Sequence, residues 1–383
     1  MRIRPFSIQV PTSTLSELKT RLAQTRWPDA IADSDWTYGA SLEYMKEIVD
    51  YWQTHFDWRA QETALNRFPQ FHADIDGFNV HFIHERGLGS QPLPLVITHG
   101  WPGSFVEMLK LIPQLTDPVS HGAAAEDSFD VIVPSMPGYG FSSPPTEPGM
   151  NAFRIAELWV QLMNGLGYSR FGAQGGDWGA SVGTCIGLIY PQNLIGLHLN
   201  YIPGSFKPFL GSGTRGLSET ETKFLQAQES WSQAEGGYGH LQATKPQTLA
   251  FGLNDSPAGL AAWIIEKFRD WGDCDGDVER RFSKDELLTN VMIYWTTQTI
   301  HSSVRLYYEA RKRPLHFKAG EKVRPPCGVA RFSKEAPFPP REWVERGYNV
   351  QRWTEFPVGG HFAALEEPEL LAADIRAFFR PLR

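Results

Sequence analysis

Apolar positions change period several times along the chain, and those changes predict its layout. From Thr12 to Gln24, after Pro11, and again from Ser41 to Trp58, apolar residues recur at helical spacing. In the second stretch Leu42, Tyr44, Met45, Ile48, Val49 and Trp52 carry the pattern. Residues 1–70 read as a mostly helical packing arm, rich in Trp and Arg, without a site of its own. The period then drops to two. Phe71 to His84 alternates apolar and polar residues about Asp76-Gly77, the signal for a β-hairpin. His72, His81 and His84 fall on its polar positions, and paired acidic ligands at a fixed spacing, which a metal site would need, are missing.

Short apolar runs follow at Leu93–Thr98, Phe129–Pro134, Tyr168–Gln174 and Ile195–Leu199, each reading as a buried strand. Between them lie helical patterns at Phe105–Leu115, Asn151–Leu166 and Ala180–Tyr190, the last stopped by Pro191. Such alternation is what a parallel α/β sheet demands. After Leu199 it stops: residues 202–314 are helical in pattern and dense in aromatics, with no buried-strand run. Strand-like sequence resumes at Pro326–Phe332 and Tyr348–Phe356, and an amphipathic helix spans Pro368 to Phe379. The predicted layout is an arm (1–70), an α/β core (71–201), an inserted helical cap (202–314) and the rest of the core (315–383). A cap in that place would exclude water and shape a pocket.

The chain is organised around Gly175-Gly176-Asp177-Trp178-Gly179, where a strand turns into a helix within about five residues, the geometry of a nucleophile elbow. Glycines two before and two after Asp177 let strand and helix approach closely. The same residues also fit a plain turn in which Asp bonds its own backbone. A carboxylate at the tip selects the chemistry. A serine that attacked saturated carbon would become an ether that no positioned water could cleave, whereas a carboxylate becomes an ester open at its carbonyl. An aspartate elbow therefore suits displacement at sp3 carbon, with an epoxide oxygen or a halide leaving.

Elbow folds place nucleophile, acid and histidine in that chain order. Of eleven histidines, His361 alone combines a strand-end address with flanking glycines (Gly359, Gly360), which marks it as general base. For the acid, Glu335 follows the strand ending at Phe332, with Glu342, Glu345 and Glu355 as competitors. The loop His99-Gly100-Trp101-Pro102-Gly103-Ser104 follows a strand at the place where such folds supply an oxyanion donor, which nominates the Trp101 N–H. His99 reads as a brace for that loop. Gly138 and Gly140 lack the third glycine and the helix of a dinucleotide loop, so a cofactor reading fails.

Composition narrows the class. With 383 residues, 42% apolar, and a net charge of −7, the chain is an ordinary globular protein with no basic run suited to nucleic acid. Its three cysteines (Cys185, Cys274, Cys327) lack ligand spacing, and no stretch has the length of a signal peptide or of the roughly 18 apolar residues of a membrane span. A soluble, cytoplasmic protein is expected.

The residues resemble the microsomal-type epoxide hydrolases of the α/β-hydrolase superfamily over nearly the whole chain. The resemblance rests on Pro5 through Trp27-Pro28-Asp29, on His99–Ser104, on the elbow through Trp178, on Leu253–Pro257 to Glu266-Lys267-Phe268, on Leu288–Thr297 and on Gly359–Ala364. The anchor helix of microsomal members has no counterpart here, as in a soluble relative. The resemblance implies an α/β-hydrolase fold with Asp177 as nucleophile, His361 as base and Glu335 as the acid that orients it. It also implies two cap tyrosines that protonate the epoxide oxygen, Tyr238 and Tyr307, the latter beside Tyr308. Trp101 and Trp178 would supply the oxyanion N–H groups. The implied reaction takes a small apolar epoxide and water to a vicinal diol, with no metal or organic cofactor, no nucleic acid and no membrane anchor, and is compatible with a homo-oligomer such as a dimer. The alternatives are a haloalkane or haloacid dehalogenase, which shares the Asp elbow and the His base, and a non-catalytic receptor on the same fold.

Overall fold

The computed structural model describes residues 1–335 and 337–383. The described residues form nine strands: β1 (Arg2–Phe6), β2 (Gln70–Ile75), β3 (Phe78–Glu85), β4 (Leu93–Thr98), β5 (Phe129–Pro134), β6 (Phe171–Gly175), β7 (Leu194–Leu199), β8 (Val323–Phe332) and β9 (Tyr348–Phe356). They make one sheet in the order β1-β2-β3-β5-β4-β6-β7-β8-β9. The first four of that order pair antiparallel, and the strands from β5 to β9 pair parallel. Strand β5 is buried at every position and β4 at all but one, as expected of strands covered on both faces.

Four local expectations are corrected. The arm begins with a strand, because Arg2–Phe6 pairs in register with Asp74 to Gln70 and extends the sheet edge. The stretch from Ser41 to Trp58 is broken into helices Leu42–Thr54 and Trp58–Leu65, since the Asp57 carboxylate accepts the N–H groups of Arg59 and Ala60 and starts a new helix. His81 lies on the buried face of the hairpin, where its ring bonds Ser135 Oγ and Gln70 Oε1, each at 2.9 Å. Likewise Phe105–Leu115 divides into a 3-10 turn, Phe105–Met108, and a short helix, Leu111–Thr116.

Between β7 and β8 the described residues form six α-helices: Glu219–Glu235, Gly237–Thr244, Pro246–Leu253, Pro257–Trp271, Lys284–Thr297 and Ile300–Arg311. Capping boxes start two of them, Ser218 with Glu221 and Ser283 with Glu286. The arm straps these helices. Arg21 binds the Asp255 carboxylate at 2.7 Å, and Tyr51 Oη donates to Asp285 at 3.0 Å. The cap in turn holds the loop after β4: Asn290 Nδ2 donates to Pro102 O at 2.8 Å, Ser104 Oγ to Asn290 Oδ1 at 2.8 Å, and Tyr294 Oη to Gly103 O at 2.6 Å.

The helix Asp177–Ile189 sits tightly on the sheet because Gly179, Gly183 and Gly187 present no side chain to it. A Cβ on Gly179 would lie 2.0 Å from the Thr98 carbonyl oxygen of β4. Gly179→Ala is therefore expected to lower stability in urea unfolding by about 1–3 kcal/mol and to reduce activity, because the helix that carries Asp177 would have to lift off the strand.

Candidate active site

Asp177 stands at the C-terminal end of β6 with φ of +45°, a left-handed conformation that costs free energy for a non-glycine residue. This places its side chain clear of the strand and next to the loop after β4. The Trp101 N–H donates to Asp177 Oδ1 at 2.8 Å, and the Trp178 N–H also reaches the carboxylate. Gly100 makes the approach feasible, since a Cβ there would sit 2.7 Å from Oδ1. The Trp101 and Trp178 N–H groups expected from the sequence thus converge on one oxygen-bearing group.

His361 and Glu335 come to the same place. His361 Nδ1 is 2.9 Å from Glu335 Oε2, and its Nε2 is 3.7 Å from Asp177 Oδ2. The side chain of Glu335 is 5% exposed, whereas Glu342, Glu345 and Glu355 are 38%, 44% and 60% exposed and make ion pairs with Arg215, Arg341 and Arg331. Burial thus separates the four candidate acids that pattern left open. His99 braces its loop, bonding Gly100 O through Nδ1 at 2.9 Å and accepting the Met136 N–H at Nε2.

Tyr238 and Tyr307 face each other edge-on, 5.9 Å apart between ring centroids, beside Trp101. Tyr238 stacks on the Trp101 indole at 5.4 Å and 6°, and Tyr307 packs edge-on against Trp178 at 4.9 Å. Burial, followed by the Asp177 charge for Tyr238 and by Tyr238 and then Asp177 for Tyr307, pushes both phenols upward, so both are protonated donors at neutral pH. Tyr308 points outward under Lys312. A cavity of about 1010 Å³ opens above Asp177, His361, Glu335 and Tyr238, walled by Phe206, Phe224, Trp231, Trp271 and Trp343. Tyr307 packs edge-on against Trp101, Trp178 and Tyr238 and is not among the residues that line that cavity.

Two acids here gave no signal in the sequence pattern. Glu366 accepts the N–H groups of Asp273, Gly360 and Phe362 at 2.7–3.0 Å and so fastens the His361 loop to the cap, which the Trp271 carbonyl reinforces by accepting the His361 N–H at 2.9 Å. Glu107 is buried beneath Asp177 and His361, with its carboxyl pushed up to about 8 by burial. A second, small cavity of about 10 Å³ lies between Gly100, Glu107, Asp177, Asn200 and His361. Among the described residues, one acidic group of three could hold a cation, Glu235, Glu266 and Asp270, but Lys267 and Arg269 already pair with two of them at 2.6 Å.

Burial opposes charge on His361, but Glu335 and then Asp177 outweigh it and hold the imidazolium up to about 9. Removing the Asp177 charge should therefore let His361 lose its proton more readily. In Asp177→Asn, NMR titration of His361 is expected to give a pKa below that of the wild type; an unchanged value would mean that Asp177 does not act on the imidazole.

Comparisons with known proteins place the whole chain in a family. Residues 94–328 match the family described as "alpha/beta hydrolase fold", and residues 3–108 match "Epoxide hydrolase N terminus". The chain is 47% identical over 382 residues to a Stigmatella aurantiaca protein named provisionally as an epoxide hydrolase, covering 100% of this chain and 86% of that protein. It is 42% identical over 401 residues to epoxide hydrolase 1 of Oryctolagus cuniculus, covering 98% of this chain and 88% of that one. The crystal structure of juvenile hormone epoxide hydrolase from the silkworm Bombyx mori superposes with a TM-score of 0.84 at 33% identity, covering 100% of this chain and 94% of that one. No helix among the described residues is long and apolar enough to cross a membrane.

Proposed function

The chain belongs to the epoxide hydrolases of the α/β-hydrolase fold, and from that premise we propose a two-step reaction through an ester on Asp177. The observation that carries this reading is the division of labour on the Asp177 carboxylate. Oδ1 accepts the Trp101 N–H, while Oδ2 faces His361 at the cavity floor. Oδ2 attacks an epoxide carbon, the C–O bond breaks, and its electron pair goes to the oxygen. Tyr238 and Tyr307 hydrogen-bond that oxygen and one of them gives it a proton. The N-terminus of the helix Asp177–Ile189 and the two N–H groups keep the carboxylate ionised despite its burial, which raises its pKa.

Ester formation removes the Asp177 charge. His361 then loses the stabilisation it drew from that carboxylate and becomes a neutral base, still oriented by Glu335 through Nδ1. It deprotonates a water that attacks the ester carbonyl, and the resulting oxyanion meets the N–H groups of Trp101 and Trp178. We assign this water to the small cavity shared by Glu107, Asp177, Asn200 and His361, whose size suits one water. Collapse breaks the ester C–O bond, the leaving alkoxide takes the intermediate's remaining hydroxyl proton, and a vicinal diol departs with Asp177 again a carboxylate. The aromatic wall of the larger cavity favours a bulky apolar epoxide.

Asp177→Asn is expected to lower turnover by about 10⁴-fold or more. His361→Gln should instead trap the intermediate: intact and peptide mass spectrometry would find the whole epoxide mass added on Asp177. Absence of that adduct, in folded protein that binds the epoxide, would refute the ester mechanism. Changing both Tyr238 and Tyr307 to Phe should slow ester formation by about 10²-fold or more without slowing ester hydrolysis in single-turnover traces.

A further inference from the structure

The helix Pro257–Trp271 buries Leu260, Ala261, Ile264, Ile265 and Phe268 against the molecule, and among its described buried residues Lys267 alone carries a charge. Lys267 is 6% exposed. A buried ammonium is costly unless paired, and an apolar side chain would fill the same stripe without that cost. Its partners show where the charge is directed. The Nζ lies 2.6 Å from Glu266 Oε2, 5.1 Å over the ring of Tyr238 and 5.6 Å over the ring of Trp271. Tyr238 is one of the two phenols placed to protonate the leaving oxygen, and it stacks on Trp101, whose own N–H binds the nucleophile.

A cation over an aromatic ring interacts with the ring's π-electrons. Those electrons are far richer in a phenolate than in a phenol, so the attraction is stronger after the proton has left. An interaction that is stronger in the product-like state accelerates the step that forms it. We propose that Lys267 is a positioning residue for ring opening, whose ammonium stabilises the phenolate left on Tyr238 when that phenol protonates the epoxide oxygen. Lys267 itself transfers no proton. The Tyr238 O–H pair stays on the tyrosine as the proton moves to the alkoxide, and the phenolate regains a proton through solvent from the one His361 releases. Glu266 offsets the ammonium in the resting enzyme, and Asp270 and Glu235, with carboxylate oxygens within 4.8 Å of it, lie on the same side. The inference rests on the tyrosine and ester roles proposed above.

The test measures ester formation on Asp177 by quenched-flow mass spectrometry in His361→Gln protein mixed with styrene oxide. Substituting both members of the pair, Glu266→Gln with Lys267→Met, avoids leaving one buried charge alone. In a Tyr307→Phe background, where Tyr238 is the remaining phenol, the pair substitution is expected to slow ester formation about tenfold. In a Tyr238→Phe background it should change the rate by less than about twofold, and Lys267→Arg, which keeps a charge that stacks on rings, should retain the rate. Equal slowing in both backgrounds would show a merely structural role, and no slowing in either would overturn the proposal. Where the pair variant does not fold, Lys267→Gln, which keeps most of the stem without the charge, gives the same comparison. If the ester fails to form even with Lys267 intact, the ester mechanism itself falls, an outcome distinct from loss of the lysine effect.

Discussion

The Trp101 N–H and the Asp177 carboxylate meet at 2.8 Å because two remote pieces of chain, the elbow and the loop after β4, are forced together. The left-handed Asp177 raises its side chain off β6, Gly179 lets the following helix press on β4, and Gly100 leaves room for the carboxylate against the loop. None of these is favourable alone: the positive φ is strained, and glycine is entropically poor in a helix. They persist because the sheet beneath is buried on both faces and the cap helix Lys284–Thr297 bonds the loop from above through Asn290 and Tyr294. The strain at the elbow is thus held by packing and hydrogen bonds that lie outside it.

Charge is the second constraint. Asp177, Glu335, Glu107 and His361 crowd one buried site, and only one of the four is basic. Burial drives Glu107 toward its neutral form, while the imidazole takes up a proton between Glu335 and Asp177. The resting balance therefore favours a nucleophilic carboxylate beside an imidazolium. In the proposed reaction, neutralising Asp177 as an ester would remove one of the charges that favour the imidazolium and so ease its loss of a proton before the second half-reaction.

The cap and arm act on this centre through a few contacts. Trp271 accepts the His361 N–H, Glu366 ties the histidine loop to Asp273, and Lys267 reaches the ring of Tyr238 from the same helix that carries Trp271. Arg21 and Tyr51 strap the arm onto the cap. A lid held at so many points positions its phenols relative to the sheet.

The linear chain by itself determined the elbow, the run of buried strands, the interruption by helices and the address of His361, because each is written in local period and in glycines at fixed offsets. The histidine brace at His99 and the nomination of the Trp101 N–H were legible for the same reason. Pattern could not choose among Glu335, Glu342, Glu345 and Glu355, nor raise Tyr238 and Tyr307 above ordinary core aromatics; only likeness to a family singled them out. Glu107, Glu366 and Lys267 look like surface charges in the sequence, and β1 looks like a leader to a helical arm. Tertiary structure decided these, because the role of a charged or aromatic side chain is set by what is buried against it. For Glu335 that neighbour is 26 residues away, for Glu366 it includes Asp273, 93 residues away, and no local period records such a contact.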